Sequence, residues 1–319
     1  MGDDPCCPDG GSPRRRSIWP AAGGPERNAV DRDRRKRDGS AGAAQCRPAS
    51  CGLLRGQGGS GDISHQAADL RRAALWRRGS HPRRGEQVTY LAIVRHGQTE
   101  WNRIGVFTGW ADEGLTEQGH LDSKTAGMAL ADTGVQWDTV YVSTLRRSVE
   151  TATVALAEFG HRPTTHIVDW LINERHVGDL EGARHADLAA MHGADRVAQW
   201  RWGFDDRPPL IDVDDPRQAV HRSRHPELGM SIPRGESMSD VMARVRPWLT
   251  EAQEAVAASV NVVAFTHGTT FRAIRALVEG VAPKDVHQMQ PANGSLAMYQ
   301  MSNRRLLPAA MAPTTQEER

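Results

Sequence analysis

Two apolar runs in this chain end in the same dipeptide. Leu91-Ala92-Ile93-Val94 leads into Arg95-His96-Gly97, and Val262-Val263-Ala264-Phe265-Thr266 leads into His267-Gly268. An unbroken apolar run of that length fits a strand buried on both faces, as in a parallel sheet covered by helices. Neighbouring parallel strands bring their carboxyl ends together, and ligands of open α/β sheets bind just beyond those ends. The two runs together therefore predict that His96 and His267 meet across one pocket, a stronger inference than either histidine supports alone. Imidazole keeps an available lone pair near neutral pH and can act as a nucleophile. Arg95 offers a planar fork of donors suited to phosphate oxygens. Gly97 lets the backbone turn sharply or approach an anion closely.

Between the two runs, strand and helix patterns alternate. Strands are expected over 88–94, 138–143, 165–168, 261–266 and 295–301. A helix capped by Thr116 presents Leu121, Thr125, Met128 and Ala129 on one face. A second, over 144–159, spaces Leu145, Val149, Ala152 and Leu156 toward a core. Further helices are expected over 184–202, 237–258 and 269–280, a charged loop over 173–182, and an irregular excursion over 207–233. The pattern predicts an α/β fold, three-layer, with a mostly parallel sheet and helices on both faces. This catalytic domain spans 87–303, and 304–319 form a flexible tail.

Residues 1–86 read differently. Gly, Pro, Arg, Ser and Asp dominate, and the apolar residues are too few to offset the entropy of ordering, so this basic extension is expected to be disordered. Its charge runs, Arg14-Arg15-Arg16 and 32–37, read as solvated tail rather than a nucleic-acid site. All four cysteines (Cys6, Cys7, Cys46, Cys51) lie here, in a spacing that is not a good metal-ligand pattern. The remainder has neither a disulfide nor a cysteine nucleophile. A second expectation is that translation starts near Val88 from a non-ATG codon, because patterned sequence begins there and no Met falls between Met1 and Met128. With a net charge of +1 and no long apolar run, a cytoplasmic protein is expected, with no nucleic-acid or membrane partner.

Phosphoryl transfer through histidine needs an in-line imidazole, donors around the equatorial oxygens, a proton for the leaving oxygen and a surface for the rest of the substrate. His96 is the nucleophile candidate. Arg95, Arg147 and His267, with the Gly97 and Gly268 backbones, supply the donors; Arg147 lies near the start of a helix that follows a strand. Glu174 is the best acid. No metal is required, since the arginines bring the charge a divalent cation would otherwise bring.

The string Arg95-His96-Gly97-x-Thr99-x-x-Asn102 resembles the signature of the histidine phosphatase superfamily. Phe107-Thr108-Gly109-Trp110, Ser143-x-Leu145-x-Arg147, Asn173-Glu174-Arg175-His176, Gln199-Trp200-Arg201 and Gly235-Glu236-Ser237 are similar to its 2,3-bisphosphoglycerate-dependent phosphoglycerate mutase branch. The resemblance, over 88–300, implies that His96 carries the phosphoryl group, Glu174 donates the proton and His267 stabilises the transferring group. It implies phosphate or substrate contacts from Arg95, Gly97, Asn102, Thr108, Gly109, Arg147, Arg175, His176 and Gly268. It also implies a 2,3-bisphosphoglycerate primer, no metal, a small phosphorylated metabolite as substrate, and room for a homo-oligomer. Four substrate-binding positions depart from the branch: Val177 stands where it has Tyr, His185 where it has Lys, Trp202 after Arg201 in place of a second Arg, and Thr269 in place of Asn. A phosphohistidine-dependent phosphatase on the same fold is the alternative, and a non-catalytic phosphate-binding module a third reading.

Overall fold

The computed structural model describes residues 88–160 and 162–309. The expectations for residues 1–86 and for 310–319 lie outside the described residues. Six strands form one sheet: β1 (Tyr90–Arg95), β2 (Thr139–Val142), β3 (Thr165–Val168), β4 (Val262–Thr266), β5 (Leu296–Ser302) and β6 (Arg305–Pro308), in the order β3-β2-β4-β1-β5-β6. The first four positions pair in parallel; β5 joins β1, and β6 joins β5, antiparallel. The tail expected from 304 is thus corrected, since Arg305–Pro308 pair with β5. The hairpin turn uses Asn303 and Arg304 at positive φ, 47° and 61°. A two-residue turn of that kind matches the twist of its strands, but without a glycine it gave no sequence signal.

The helices are α1 (Glu100–Arg103), α2 (Glu117–Asp132), α3 (Arg146–Ala157), α4 (His185–His192), α5 (Ala194–Trp202), α6 (Pro216–Arg224), α7 (Met238–Ala257) and α8 (Gly268–Glu279). Alternate residues of the central strands serve opposite faces, as the pleat requires. Leu91 and Ile93 pack with Tyr141, Trp248 and Phe271 beneath α7 and α8. Ala92 and Val94 pack with Leu130, Val140 and Phe265 beneath α2 and α3. Each fully buried aliphatic side chain contributes about 1.5–3 kcal/mol. This is the three-layer α/β sandwich that the alternation predicts.

Four local expectations are corrected. Helix α2 buries Gly119, Ser123, Ala126, Gly127 and Leu130, while Leu121 and Met128 are 54% and 49% exposed. The helix approaches by its small residues: a Cβ on Gly127 would stand 2.5 Å from the Ala155 carbonyl oxygen. On α3, Val149 is exposed, whereas Leu145 and Ala152 are buried. The excursion at 207–233 holds helix α6, whose N-cap is Asp215 and whose first residue is Pro216. A proline there starts a helix rather than breaking one. The stretch 184–202 is two helices, divided at Gly193 with φ 85°.

Candidate active site

Strands β1 and β4 are neighbours, with Arg95 opposite Thr266. The next residue of each is therefore a histidine at the same edge. The rings of His96 and His267 stand 5.2 Å apart between centroids and are tilted by 55°. Both are buried. His96 Nδ1 lies 2.7 Å from the Gly97 carbonyl oxygen. A carbonyl only accepts, so Nδ1 carries the proton and the lone pair sits on Nε2. Burial, reinforced by Arg147 and Arg95, holds the His96 imidazole well below its ordinary range, so it is neutral at pH 7.

His267 is held down in the same way, by burial first and then by Arg147 and His96. Its Nε2 meets Ser143 Oγ at 2.5 Å. That oxygen also accepts from the Leu145 N–H at 3.3 Å, and the ring nitrogen is the one acceptor among the described residues for the Ser143 hydroxyl proton. With Nε2 accepting, the proton of His267 belongs on Nδ1, which has no hydrogen-bond partner among the described residues. His267 thus carries an N–H with no partner among the described residues, next to the His96 ring.

Arg147 enters from the first turn of α3 and is 1% exposed. Its two terminal nitrogens donate to the carbonyls of Ala111 and Gly109 at 2.9 and 2.8 Å, tying down the loop that carries Thr108 and Gly109. Burial pushes its guanidinium down to about 10. Arg95 donates to the Pro291 carbonyl at 2.6 Å. The Nε atoms of Arg95, Arg147 and Arg175 are buried without a partner among the described residues. Buried cations without a carboxylate are costly, and an anionic ligand would supply what is missing.

Glu174 is fixed from the backbone. Its Oε1 accepts from the Arg175 N–H at 2.8 Å and from the Thr269 N–H, in the first turn of α8, at 3.1 Å. The loop 170–175 is held by Arg244, which donates to the carbonyls of Trp170, Leu171, Asn173 and Glu174. Arg244 is in turn paired with Glu236 at 2.7 Å, and Glu236 accepts from the His176 N–H. The Gly235-Glu236-Ser237 segment therefore acts through the loop that presents Glu174.

A pocket of about 170 Å³ lies over these groups, with His267 fully buried beside His96 and not on its lining. Arg95, His96, Arg147, Glu174 and Arg175 line it. So do Asn102, Thr108 and Gly109 from the segment after β1, Val177 and His185, Arg201 and Trp202 at the end of α5, and Gly268 and Thr269 at the start of α8. Two expected contacts fall elsewhere. Gly97 gives its N–H to Thr151 Oγ1 at 3.1 Å, and a Cβ there would stand 2.1 Å from the Gly119 carbonyl oxygen. It serves close packing of α2 on β1, not an anion. His176 is fully buried behind the wall, 5.2 Å from the His221 ring and 5.5 Å from Trp110.

Residues 91–225 and 211–311 match the model of the histidine phosphatase superfamily (branch 1). The chain belongs to the histidine phosphatase superfamily. Among curated members, it is 34% identical over 212 residues to a 2,3-bisphosphoglycerate-dependent phosphoglycerate mutase of Clavibacter michiganensis subsp. michiganensis (strain NCPPB 382), covering 66% of this chain and 84% of that one. It is 33% identical over 215 residues to the same enzyme of Actinobacillus succinogenes, covering 67% and 95%. Among solved structures, a mycobacterial glucosyl-3-phosphoglycerate phosphatase complexed with VO3 superposes with a TM-score of 0.54 at 25% identity, covering 69% of this chain and 97% of that one. A structure described as mycobacterial hydrolase 1 gives 0.54 at 25% identity, covering 70% and 98%.

In this superfamily member the four departures have visible consequences. Val177 packs against Gly109 and brings no donor. His185 sits edge-on to Phe107 at 4.4 Å; burial and Arg201 push it down to about 4, so at pH 7 it does not replace a lysine's charge. Trp202 lies 4.7 Å from the Arg201 guanidinium. Thr269 gives its backbone N–H to Glu174. Sequence reasoning missed Arg272, Gln290 and Pro291, which also line the pocket.

Proposed function

We propose that this protein is a phosphoglycerate mutase that interconverts 3-phosphoglycerate and 2-phosphoglycerate through a phosphohistidine, primed by 2,3-bisphosphoglycerate. The observation that carries the phosphohistidine chemistry is the neutral His96, its Nδ1 committed to the Gly97 carbonyl, beside a His267 whose Nδ1–H lacks a partner among the described residues. The curated relatives support the mutase assignment.

His96 Nε2 attacks phosphorus in line, and the bond to the leaving oxygen breaks as the bond to nitrogen forms. Glu174, on the pocket wall, gives that oxygen its proton. The guanidinium groups of Arg95 and Arg147, with the Nδ1–H of His267, bond the equatorial oxygens as charge gathers there. The unpartnered donors of Arg95, Arg147, Arg175 and His267 fit a polyanionic primer; when bound, 2,3-bisphosphoglycerate would supply the phosphoryl group that charges His96. In the return step the phosphoryl group passes to a hydroxyl of the bound glycerate, and Glu174 takes that hydroxyl's proton.

A second reading, a phosphatase, is favoured by Val177, neutral His185 and Trp202. Fewer hydrogen bonds to the glycerate end would release it early and leave water as acceptor. The test supplies 3-phosphoglycerate with catalytic 2,3-bisphosphoglycerate and follows 2-phosphoglycerate and inorganic phosphate together. Isomerisation faster than phosphate release is expected. Phosphate release alone would replace the mutase with the phosphatase. His96→Ala should abolish both, and a retained rate would remove the nucleophile assignment.

A further inference from the structure

Arg272 is the fifth residue of α8, one turn beyond Gly268. It is 4% exposed and lines the catalytic pocket. Its polar partnership is poor. Nη2 reaches Thr269 Oγ1 at 3.5 Å, the limit of a hydrogen bond, and Nη1 is buried with no partner among the described residues. Its guanidinium carbon lies 5.1 Å from the centre of the Trp202 ring.

Buried arginines elsewhere are treated differently. Arg244 is bonded to Glu236 and to four backbone carbonyls. Arg147 has two carbonyls and Arg95 one. Arg272 has a distant hydroxyl and an aromatic face. Cation–π contact orients a guanidinium and leaves its edge N–H groups available for an anion. Burial pushes Arg272 down to about 10, with Arg175, Arg95 and Arg201 adding repulsion and Glu174 opposing it. The charge is therefore set among other cations, and among the described residues Glu174 is the one carboxylate on the pocket wall. A single phosphoryl group held by Arg95, Arg147 and His267 would not neutralise the rest.

We propose that Arg272 is a specificity-determining residue: its guanidinium, stacked on Trp202, binds a second anionic group, a carboxylate or second phosphate, of the molecule whose phosphoryl group meets His96. Trp202 stands where the mutase branch has a second Arg, and Arg272 supplies the cation from a different element. The inference rests on the phosphohistidine reading of the pocket and adds to it the residue that reads the substrate's second anion.

The experiment compares two ligands that differ in that anion. Binding of 3-phosphoglycerate and of sn-glycerol 3-phosphate is measured by calorimetry on the full chain and on Arg272→Met, which keeps much of the side-chain length. The unsubstituted protein should bind 3-phosphoglycerate at least about 10-fold more tightly. Arg272→Met should lose about 10- to 100-fold toward 3-phosphoglycerate and less than about twofold toward glycerol 3-phosphate. 2,3-Bisphosphoglycerate as a third ligand separates the sources: a loss confined to it assigns the site to a second phosphate. Without ligand, Arg272→Met should melt at or above the temperature of the parent, because it removes an unpaired buried charge; a purely structural arginine would lower it. Arg272→Lys should recover part of the selectivity and covers failure of the Met variant to fold. Equal losses toward every ligand, or none, would overturn the proposal. Failure of the phosphohistidine reading shows separately, as no acid-labile phosphate on the parent chain after incubation with 2,3-bisphosphoglycerate.

Discussion

The Ser143 hydroxyl decides which nitrogen of His267 carries a proton, and through it whether His267 can donate to the phosphoryl oxygens as proposed. Replacing Ser143 by Ala leaves Nε2 buried and lets the proton settle there, turning Nδ1 into an acceptor that repels the anion. The expected result is a kcat lower by about 10²-fold with KM within about threefold, a loss on the scale of a removed oxyanion donor. Steady-state kinetics read it, and ¹⁵N shifts of the His267 ring report the tautomer. An unchanged kcat would reduce Ser143 to a packing residue. Site residues of this kind were legible in the sequence when they adjoin a strand end: His96, His267, Arg95 and Glu174 all sit in short strings that change character abruptly. Arg272 was not. It is three residues from Arg275 on an amphipathic helix, and the sequence gives no sign of which of the two faces inward. Only the tertiary fold turns one of them inward. Gly97 and His176 misled for the converse reason, since adjacency to functional residues does not decide which way a group faces.

At the level of elements, the carboxyl end of β1 is closed by contact of backbone with backbone. A Cβ on Gly97 would stand 2.1 Å from Gly119 O, and one on Gly119 2.1 Å from Gln98 O. Neither obstacle is a flexible side chain, so the helix or the strand must shift. Gly97→Ala and Gly119→Ala should each cost more than about 3 kcal/mol, on the scale of severe overpacking. Gly134→Ala is the comparison: with φ 66° and nothing within 4 Å of a Cβ, it should cost about 1 kcal/mol from conformation alone. Thermal melts of the three variants check this order. A Gly119→Ala melt matching Gly134→Ala would show that α2 moves freely on β1. The same contact explains why α2 was read on the wrong face. Sequence periodicity finds the period of a helix but ranks faces by apolar bulk, and here the interface is made of Gly, Ser and Ala. Strands β1, β2 and β4 were legible because burial on both faces leaves apolar, β-branched runs, whereas the edge strand β3 is half exposed and showed only as a short β-branched stretch. Helix α6 and strand β6 were not, because Pro216 resembles a breaker and the Asn303-Arg304 turn lacks glycine.

The molecule as a whole stores several imidazoles in uncharged form. His96 and His267 are pushed well below the ordinary range, and His176 to about 3, in each case chiefly by burial. In the unfolded chain each takes a proton near pH ~6.5. Below that pH the unfolded state therefore binds protons that the native state refuses, and stability falls with falling pH. The limiting slope is about 1.4 kcal/mol per pH unit for each group, or about 4 kcal/mol per unit for three acting together. Carboxylates contribute in a lower window: Asp240 is held at about 2 by Arg207 and its other partners, so its contribution persists until the pH drops below about 4. Between pH 6.5 and 5 the loss belongs to histidine. Urea unfolding at pH 7.5, 6 and 5 should show a midpoint that is flat above pH 7 and drops steeply below 6.5. His176→Gln should remove about one group's share of that slope while leaving the pocket-lining His96 untouched. A midpoint constant from pH 7.5 to 5 would mean that these rings accept protons in the folded protein, and with that the neutral, nucleophilic state of His96 at pH 7 would lose its physical basis.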